Sequence, residues 1–133
     1  MSEDYVLDAS ALVVALVAKT EAAERLRRRL PAMRRHAPHL IDAEVGNVLR
    51  RHESAGLINT AEARTALDVG RVLVEHRYPH TGALAALAWT WRANLTFYDA
   101  LYVALAVRLD ATLISADARL ARSPNLACRL EIL

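Results

Sequence analysis

Short apolar runs alternate along this chain with stretches of helical period. Tyr5-Val6-Leu7 is placed to be the first strand of a buried sheet, and Asp8 ends it. Ala9-Ser10-Ala11-Leu12 then opens a helix to about Val17, with Asp8 or Ser10 as N-cap. Thr20 opens a second helix. It sets Ala22, Ala23, Leu26 and Leu30 on one face and Arg25, Arg27, Arg28 and Arg29 on the other, until Pro31 ends it. Arg35-His36-Ala37 reads as a short strand closed by Pro38. A helix follows from His39 or Leu40 to Ala55, capped by Gly56. Ile41, Val45, Val48 and Leu49 form its apolar stripe, with Glu44 and Asn47 along the edge. Asn59-Thr60-Ala61-Glu62 starts another helix that runs to about Val74, and residues 72–78 read either as its end or as a strand. Pro79 and Gly82 bracket a turn. Thr81 then begins a helix with Leu84, Leu87, Ala88 and Trp91 on one side, while Trp89 faces an interface or the surface.

The stretch from Leu95 to Asp117 organises the rest. Between Leu95 and Val107 every residue except Thr96 and Asp99 is apolar or aromatic. A helix that is apolar all round belongs in a core, where a bare carboxylate is costly unless paired or bound to a metal. The local alternative for Asp99 is a capping arrangement with Thr96. Thr112 to Ser115 has strand character and ends in Ala116-Asp117. A short helix to Arg122, a turn at Pro124-Asn125 and an edge strand from Cys128 to Leu133 complete the chain. The order β-α-α-β-α-α-β-α-α-β-β predicts an α/β fold, a three-layer α/β/α sandwich with a mainly parallel central sheet. Sites in such sheets form at the carboxyl ends of strands, and Asp8 and Asp117 both follow strands.

Composition narrows the function. At 133 residues the chain suits one domain spanning 1–133. A net charge of +2 admits a nucleic-acid ligand without pointing to one. Lys19 is the only lysine, so the basic residues are arginines. The arginine face of the second helix reads as a solvated surface or as a phosphate- or partner-contacting rim. Cys128 is the only cysteine, which excludes an internal disulfide and suggests a reducing cytoplasm. No apolar run approaches the ~20 residues that span a bilayer, and the acidic start Met1-Ser2-Glu3-Asp4 is unlike a signal peptide. There is no glycine-rich phosphate loop and no G-x-S-x-G setting. Pro79 interrupts the His76/His80 spacing that a zinc site on a helix would need. Ser10 stands where a haloacid-dehalogenase-type phosphatase needs its second Asp, and no late lysine exists for a receiver domain.

Four acids remain: Asp8, Glu44, Asp99 and Asp117. Each has a local reading, as a cap, an exposed edge residue or a turn acid. Together they fit oxygen-only ligation of Mg²⁺ or Mn²⁺, one or two ions that activate a water and neutralise a phosphodiester's developing charge. Carboxylates so close repel, so at least one pKa is expected to rise without metal.

The segments YVLDASALV (5–13), PHLIDAEVGNVLRR (38–51), LTFYDALYVALA (95–106) and LISADARL (113–120) resemble the PIN-domain family. They are most similar to the VapC-type toxins of bacterial toxin–antitoxin pairs. The resemblance places the family's acids on Asp8, Glu44, Asp99 and Asp117. Asp8 and Asp99 would be direct metal ligands, with Glu44 and Asp117 binding directly or through water. Ser10, Asn47 and Ser115 fall on supporting polar positions. It implies a PIN-like fold and a cytoplasmic, Mg²⁺- or Mn²⁺-dependent endoribonuclease that leaves a 5′-phosphate and a 3′-hydroxyl. The implied partners are an RNA substrate, a cognate antitoxin that inserts a segment into the groove, and a second copy in a homodimer. No membrane is expected, and no DNA binding by this chain alone. The alternative is a catalytically silent PIN-like module that binds RNA or protein. Transfer, ribosomal and messenger RNA all stay open as targets.

Overall fold

Asp4–Leu7 forms β1, the middle strand of a five-stranded sheet, in a computed structural model that describes residues 3–133. Met1 and Ser2 of the acidic start lie outside the described residues. From β1 the chain runs through α1 (Ala9–Val17), α2 (Glu21–Arg29) and a 3₁₀ turn at Leu30–Ala32 to β2 (Arg34–Pro38). It continues through α3 (Ile41–Ser54) and α4 (Thr60–Leu73) to β3 (His76–Tyr78). After α5 (Ala83–Trp89) and α6 (Phe97–Leu109) come β4 (Thr112–Ser115), a 3₁₀ turn at Ala118–Arg122 and β5 (Arg129–Ile132). The sheet order is β3-β2-β1-β4-β5, and every pairing is parallel. Val6 registers with His36 on one side and Leu113 on the other.

This order has a functional consequence. The chain adds β2 and β3 on one side of β1, then returns to add β4 and β5 on the other. The reversal leaves a crevice beyond the carboxyl ends of β1 and β4, the topological switch point at which open α/β sheets bind ligands.

The local chemistry explains the elements. Asn59 and Glu62 form a reciprocal capping box at the start of α4. Gly56, with φ +75, follows the last residues of α3, where the left-handed turn favours glycine. Ala55 rather than Gly56 is the cap residue. Gly82, with φ +67, delays α5 to Ala83, two residues beyond the expected Thr81. The ambiguous residues 72–78 divide into the end of α4 and strand β3.

The seven residues Ala100 to Ala106 of α6 are all buried. One side of α6 packs on β1, β2 and β4 and another on α5, which accounts for its lack of a polar face. Its first turn is different. α6 starts at Phe97 rather than Leu95, and Phe97 and Tyr98 are 38% and 61% exposed. The layer containing α1 packs α1 against the sheet and against α2, α3 and α4. Trp91 is half-buried beyond the end of α5, whereas Trp89 is exposed, with Arg92 over its ring at 4.9 Å.

Arginines do structural work here. Arg27 on α2 donates to the Ala15 carbonyl at 2.8 Å, closing the end of α1, and Arg29 pairs with Glu131 of β5. Neither belongs to the crevice at the switch point. Buried His36 has both ring nitrogens engaged, with Tyr78 Oη at 2.7 Å and Asp4 Oδ1 at 2.9 Å, as a buried polar group requires. His76 sits on β3 and stacks on His36, with ring centroids 5.0 Å apart. No helix among the described residues is long and apolar enough to cross a membrane.

Candidate active site

Asp8 directly follows β1 and caps α1. Its Oδ1 accepts the Ala11 N–H at 2.9 Å and the Ser10 hydroxyl at 2.6 Å. Ser10 Oγ in turn accepts the Ala116 N–H at 2.9 Å and lies 3.2 Å from Ser115 Oγ. A serine has one proton. Ser10 donates its one proton to Asp8, and the Ser115 hydroxyl also hydrogen-bonds the Asp8 carboxylate. Ser115 Oγ also accepts the Asp117 N–H at 3.0 Å. Two serines 105 residues apart thus tie the end of β1 to the end of β4, and they fix both the Asp8 carboxylate and the Asp117 backbone.

The other acids arrive from separate elements. Asp117 caps the second 3₁₀ turn and accepts the Arg119 N–H at 3.0 Å. Thr96 caps α6 by accepting the Asp99 N–H at 3.1 Å. The capping reading of this pair is therefore realised through the backbone, and the Asp99 carboxyl lines the cleft. Glu44 reaches in from α3, and its Oε1 accepts the Tyr102 hydroxyl at 2.6 Å. All four acids line one cleft of about 430 Å³, together with Ser10, Tyr102 and Arg119. Val48, Arg51 and His52 form its α3 wall. Asn47 is exposed instead and accepts from Arg50 Nε at 3.2 Å, so the structure does not bring it into the cleft. A second groove of about 460 Å³, between the end of α1 and α4, holds none of these acids.

The electrostatics separate one acid from the other three. Asp8, Glu44 and Asp99 all have pKa values above the ordinary carboxyl range. Burial is the first cause in each, and repulsion among the acids is a smaller one. The rise expected from mutual repulsion is therefore present, but desolvation dominates it. Asp117 goes the other way, held low by the Arg119 guanidinium.

Among the described residues no three His, Cys, Asp or Glu side chains converge into a ready chelating group. Glu44 is engaged by Tyr102, and Asp117 by Arg119. The donor set still fits a hard dication, because it is carboxylate and hydroxyl oxygen throughout. A buried carboxylate without a cationic partner, as at Asp8, is relieved by a proton or by a bound cation.

Tyr102 and Arg119 were not singled out in the sequence. Tyr102 lies three residues after Asp99 on the same helix face, a spacing that signals a shared cleft. Arg119 follows Asp117 by two residues in a turn, which carries no periodic signal. Tyr102→Phe removes the donor to Glu44 while keeping the ring in place. We expect it to destabilise the fold by about 1 kcal/mol, the usual worth of such a bond. The Glu44 pKa should rise further, because the lost bond favoured the ionised form. Denaturant unfolding and carboxyl NMR titration measure the two effects.

An all-parallel α/β sandwich with four carboxylates in one cleft at its switch point defines a class of acidic-cleft proteins. Within that class the chain belongs to the PIN domain family, which it matches over residues 5–126. Ribonuclease VapC1 of Mycobacterium tuberculosis is 46% identical over 130 residues, covering 98% of each chain. Ribonuclease VapC9 of the same organism is 39% identical over 127 residues, 96% of each chain. In the solved structures, VapBC2 from Rickettsia felis, bound to a DNA fragment from their promoter, superposes with a TM-score of 0.71. It does so at 16% identity over 98% of both chains, which shows the fold alone.

Proposed function

We propose that this chain is a metal-dependent endoribonuclease, the toxin of a toxin–antitoxin pair, acting through Asp8, Glu44, Asp99 and Asp117. The observation that carries the reading is their convergence. Four carboxylates from four separate parts of the chain line one cleft, and three are held above the normal pKa by burial. Its second support is the pair of relatives named ribonucleases, at 46% and 39% identity. Residues 1–133 work as one PIN-like domain in the cytoplasm. The partners are RNA, an antitoxin, as the VapBC pairing of the structural neighbour suggests, and a second copy of the chain.

Asp8 and Asp99 would hold the ion directly, and Glu44 and Asp117 would complete the set directly or through water. Bound Mg²⁺ or Mn²⁺ supplies a more acidic water and neutralises charge on the phosphodiester. The chain's own residues prepare the ground. Ser10 and the Ala11 amide fix the Asp8 carboxylate, and Tyr102 orients Glu44. Ser115 anchors the backbone at Asp117. Arg51, on the cleft wall, positions an RNA phosphate without reading a base. In the hydrolysis the water oxygen bonds to phosphorus and the bond to the ribose 3′ oxygen breaks. A proton ends on that oxygen, leaving a 5′-phosphate and a 3′-hydroxyl.

The test is incubation of a mixed RNA pool with the purified protein in Mg²⁺, in Mn²⁺ and in EDTA. Cleavage in either metal and none in EDTA is expected. Cleavage that survives EDTA would overturn the metal assignment. Absence of cleavage together with absence of Mn²⁺ binding would favour the silent module.

A further inference from the structure

Asp117 differs from the other three cleft acids in its partner. Among the described residues it is the only one of the four in an ion pair, and the cation is Arg119. The pairing is complete. Oδ1 takes the Arg119 backbone N–H and Nε, both at 3.0 Å, and Oδ2 takes Nη2 at 2.6 Å and Nε at 3.1 Å. Both oxygens of the carboxylate are therefore occupied by one side chain. Hydroxyl and amide groups hold Asp8, and a tyrosine holds Glu44, so none of those contacts brings a positive charge.

We propose that Arg119 is a tethered cation occupying the seat on Asp117 that the dication takes, so that Arg119 and metal compete for one carboxylate. This rests on the proposed role of the four acids as metal ligands. The geometry gives two reasons. A dication bonded to an Asp117 oxygen would stand beside the guanidinium that both oxygens already face, so the two cations repel each other there. The Arg119 side chain is also 77% exposed, so it can swing into solvent at little cost. Arg119 thus lowers metal affinity while keeping the acidic cleft partly neutralised when no metal is bound.

A residue that merely supported the site would weaken metal binding when removed. A competitor does the reverse, so the sign discriminates. The experiment is calorimetric titration of Mn²⁺ alone into metal-free full-length wild type, Arg119→Gln and Arg119→Lys, with no RNA present. Arg119→Gln should bind Mn²⁺ about fivefold more tightly, the scale of an exposed, well-formed ion pair. Arg119→Lys should also bind more tightly than wild type, because a single ammonium cannot hold both oxygens as the fork does. Unchanged or weaker binding by Arg119→Gln would overturn the proposal. So would wild-type affinity in Arg119→Lys beside tightening in Arg119→Gln, which would assign the effect to net charge alone. If wild type itself binds no Mn²⁺, the failure lies with the metal reading of the acids and not with Arg119.

Discussion

Asp99→Asn is expected to abolish RNA cleavage and to raise the melting temperature of the metal-free protein at pH 7.5. Losing even a residue that only orients a metal ligand costs roughly 10–100-fold, so in its proposed role as a direct ligand Asp99 should be worth at least about a hundredfold in rate. Stability should move in the opposite direction. Asp99 lies in the first turn of α6, where the helix dipole favours a negative charge by about 0.3–1 kcal/mol. Its pKa is nevertheless raised, with burial as the leading cause, so ionising it in the fold carries a net cost. Asparagine removes that cost and keeps the backbone N–H that Thr96 accepts. A gain of roughly 2–4 °C is the scale expected for about 0.5–1 kcal/mol in a chain of this size. Scanning calorimetry in EDTA and a labelled-RNA assay read the two halves. A variant that cleaves at the wild-type rate would place the chemistry elsewhere. A variant that neither cleaves nor melts cooperatively would show that Asp99 serves the fold.

A second large effect joins pH to metal. In EDTA the cleft acids Asp8, Glu44 and Asp99 should cost the protein stability as pH rises above the ordinary carboxyl range. Asp8, Glu44 and Asp99 have folded-state pKa values above their unfolded ones. From the ordinary carboxyl range up through those raised values the folded state binds more protons than the unfolded state, so stability is lost as pH rises. Asp4 and Asp117 are shifted down, Asp4 first by Arg34 and Asp117 first by Arg119. Their stabilisation is fully present above the ordinary carboxyl range and does not tilt the curve between 5 and 8. The half-buried Cys128 thiol, pushed up to about 11, titrates well above that range. Saturating Mn²⁺ should reverse the slope, because the ligands must be deprotonated and metal affinity rises with pH. At a hundredfold excess over Kd the ion adds about 2.7 kcal/mol, or roughly 10 °C at pH 7.5. The two melting curves should therefore converge toward the ordinary carboxyl range and separate as pH rises above it. Parallel curves would mean that the buried acids are not where the ion binds.

Much of this architecture was legible in the residues. Strand ends at Asp8 and Asp117 could be read directly, because an apolar run stopped by a carboxylate is a local signal. The Glu44 and Asp99 carboxylates stood out on apolar helices, but joining them to the other two took the resemblance of four separated segments. The cap readings and the site readings also proved compatible. Asp8 and Asp117 each cap a helical turn while facing the cleft. The carboxyl end of a strand and the start of the next helix are the same place in an α/β fold. Asn47 shows the limit of helical spacing. It lies three residues from Glu44, yet that offset turns it toward Arg50 and the solvent.

What the sequence determined by itself is what neighbouring residues decide: the period of each helix, the stops at proline and glycine, and four acids at element ends or on apolar faces. What only the tertiary structure decided is which of these meet. The order β3-β2-β1-β4-β5 sets β1 beside β4, and so Ser10 meets Ser115 and Asp8 comes to lie near Asp117. The packing of α6 against β1 and β4 delivers Asp99 and Tyr102 to the same crevice, opposite Glu44. Strand order and helix packing are set by burial summed over the whole core. No window of residues contains that sum, and so the hand of Tyr102 on Glu44 and of Arg119 on Asp117 appears only in the folded chain.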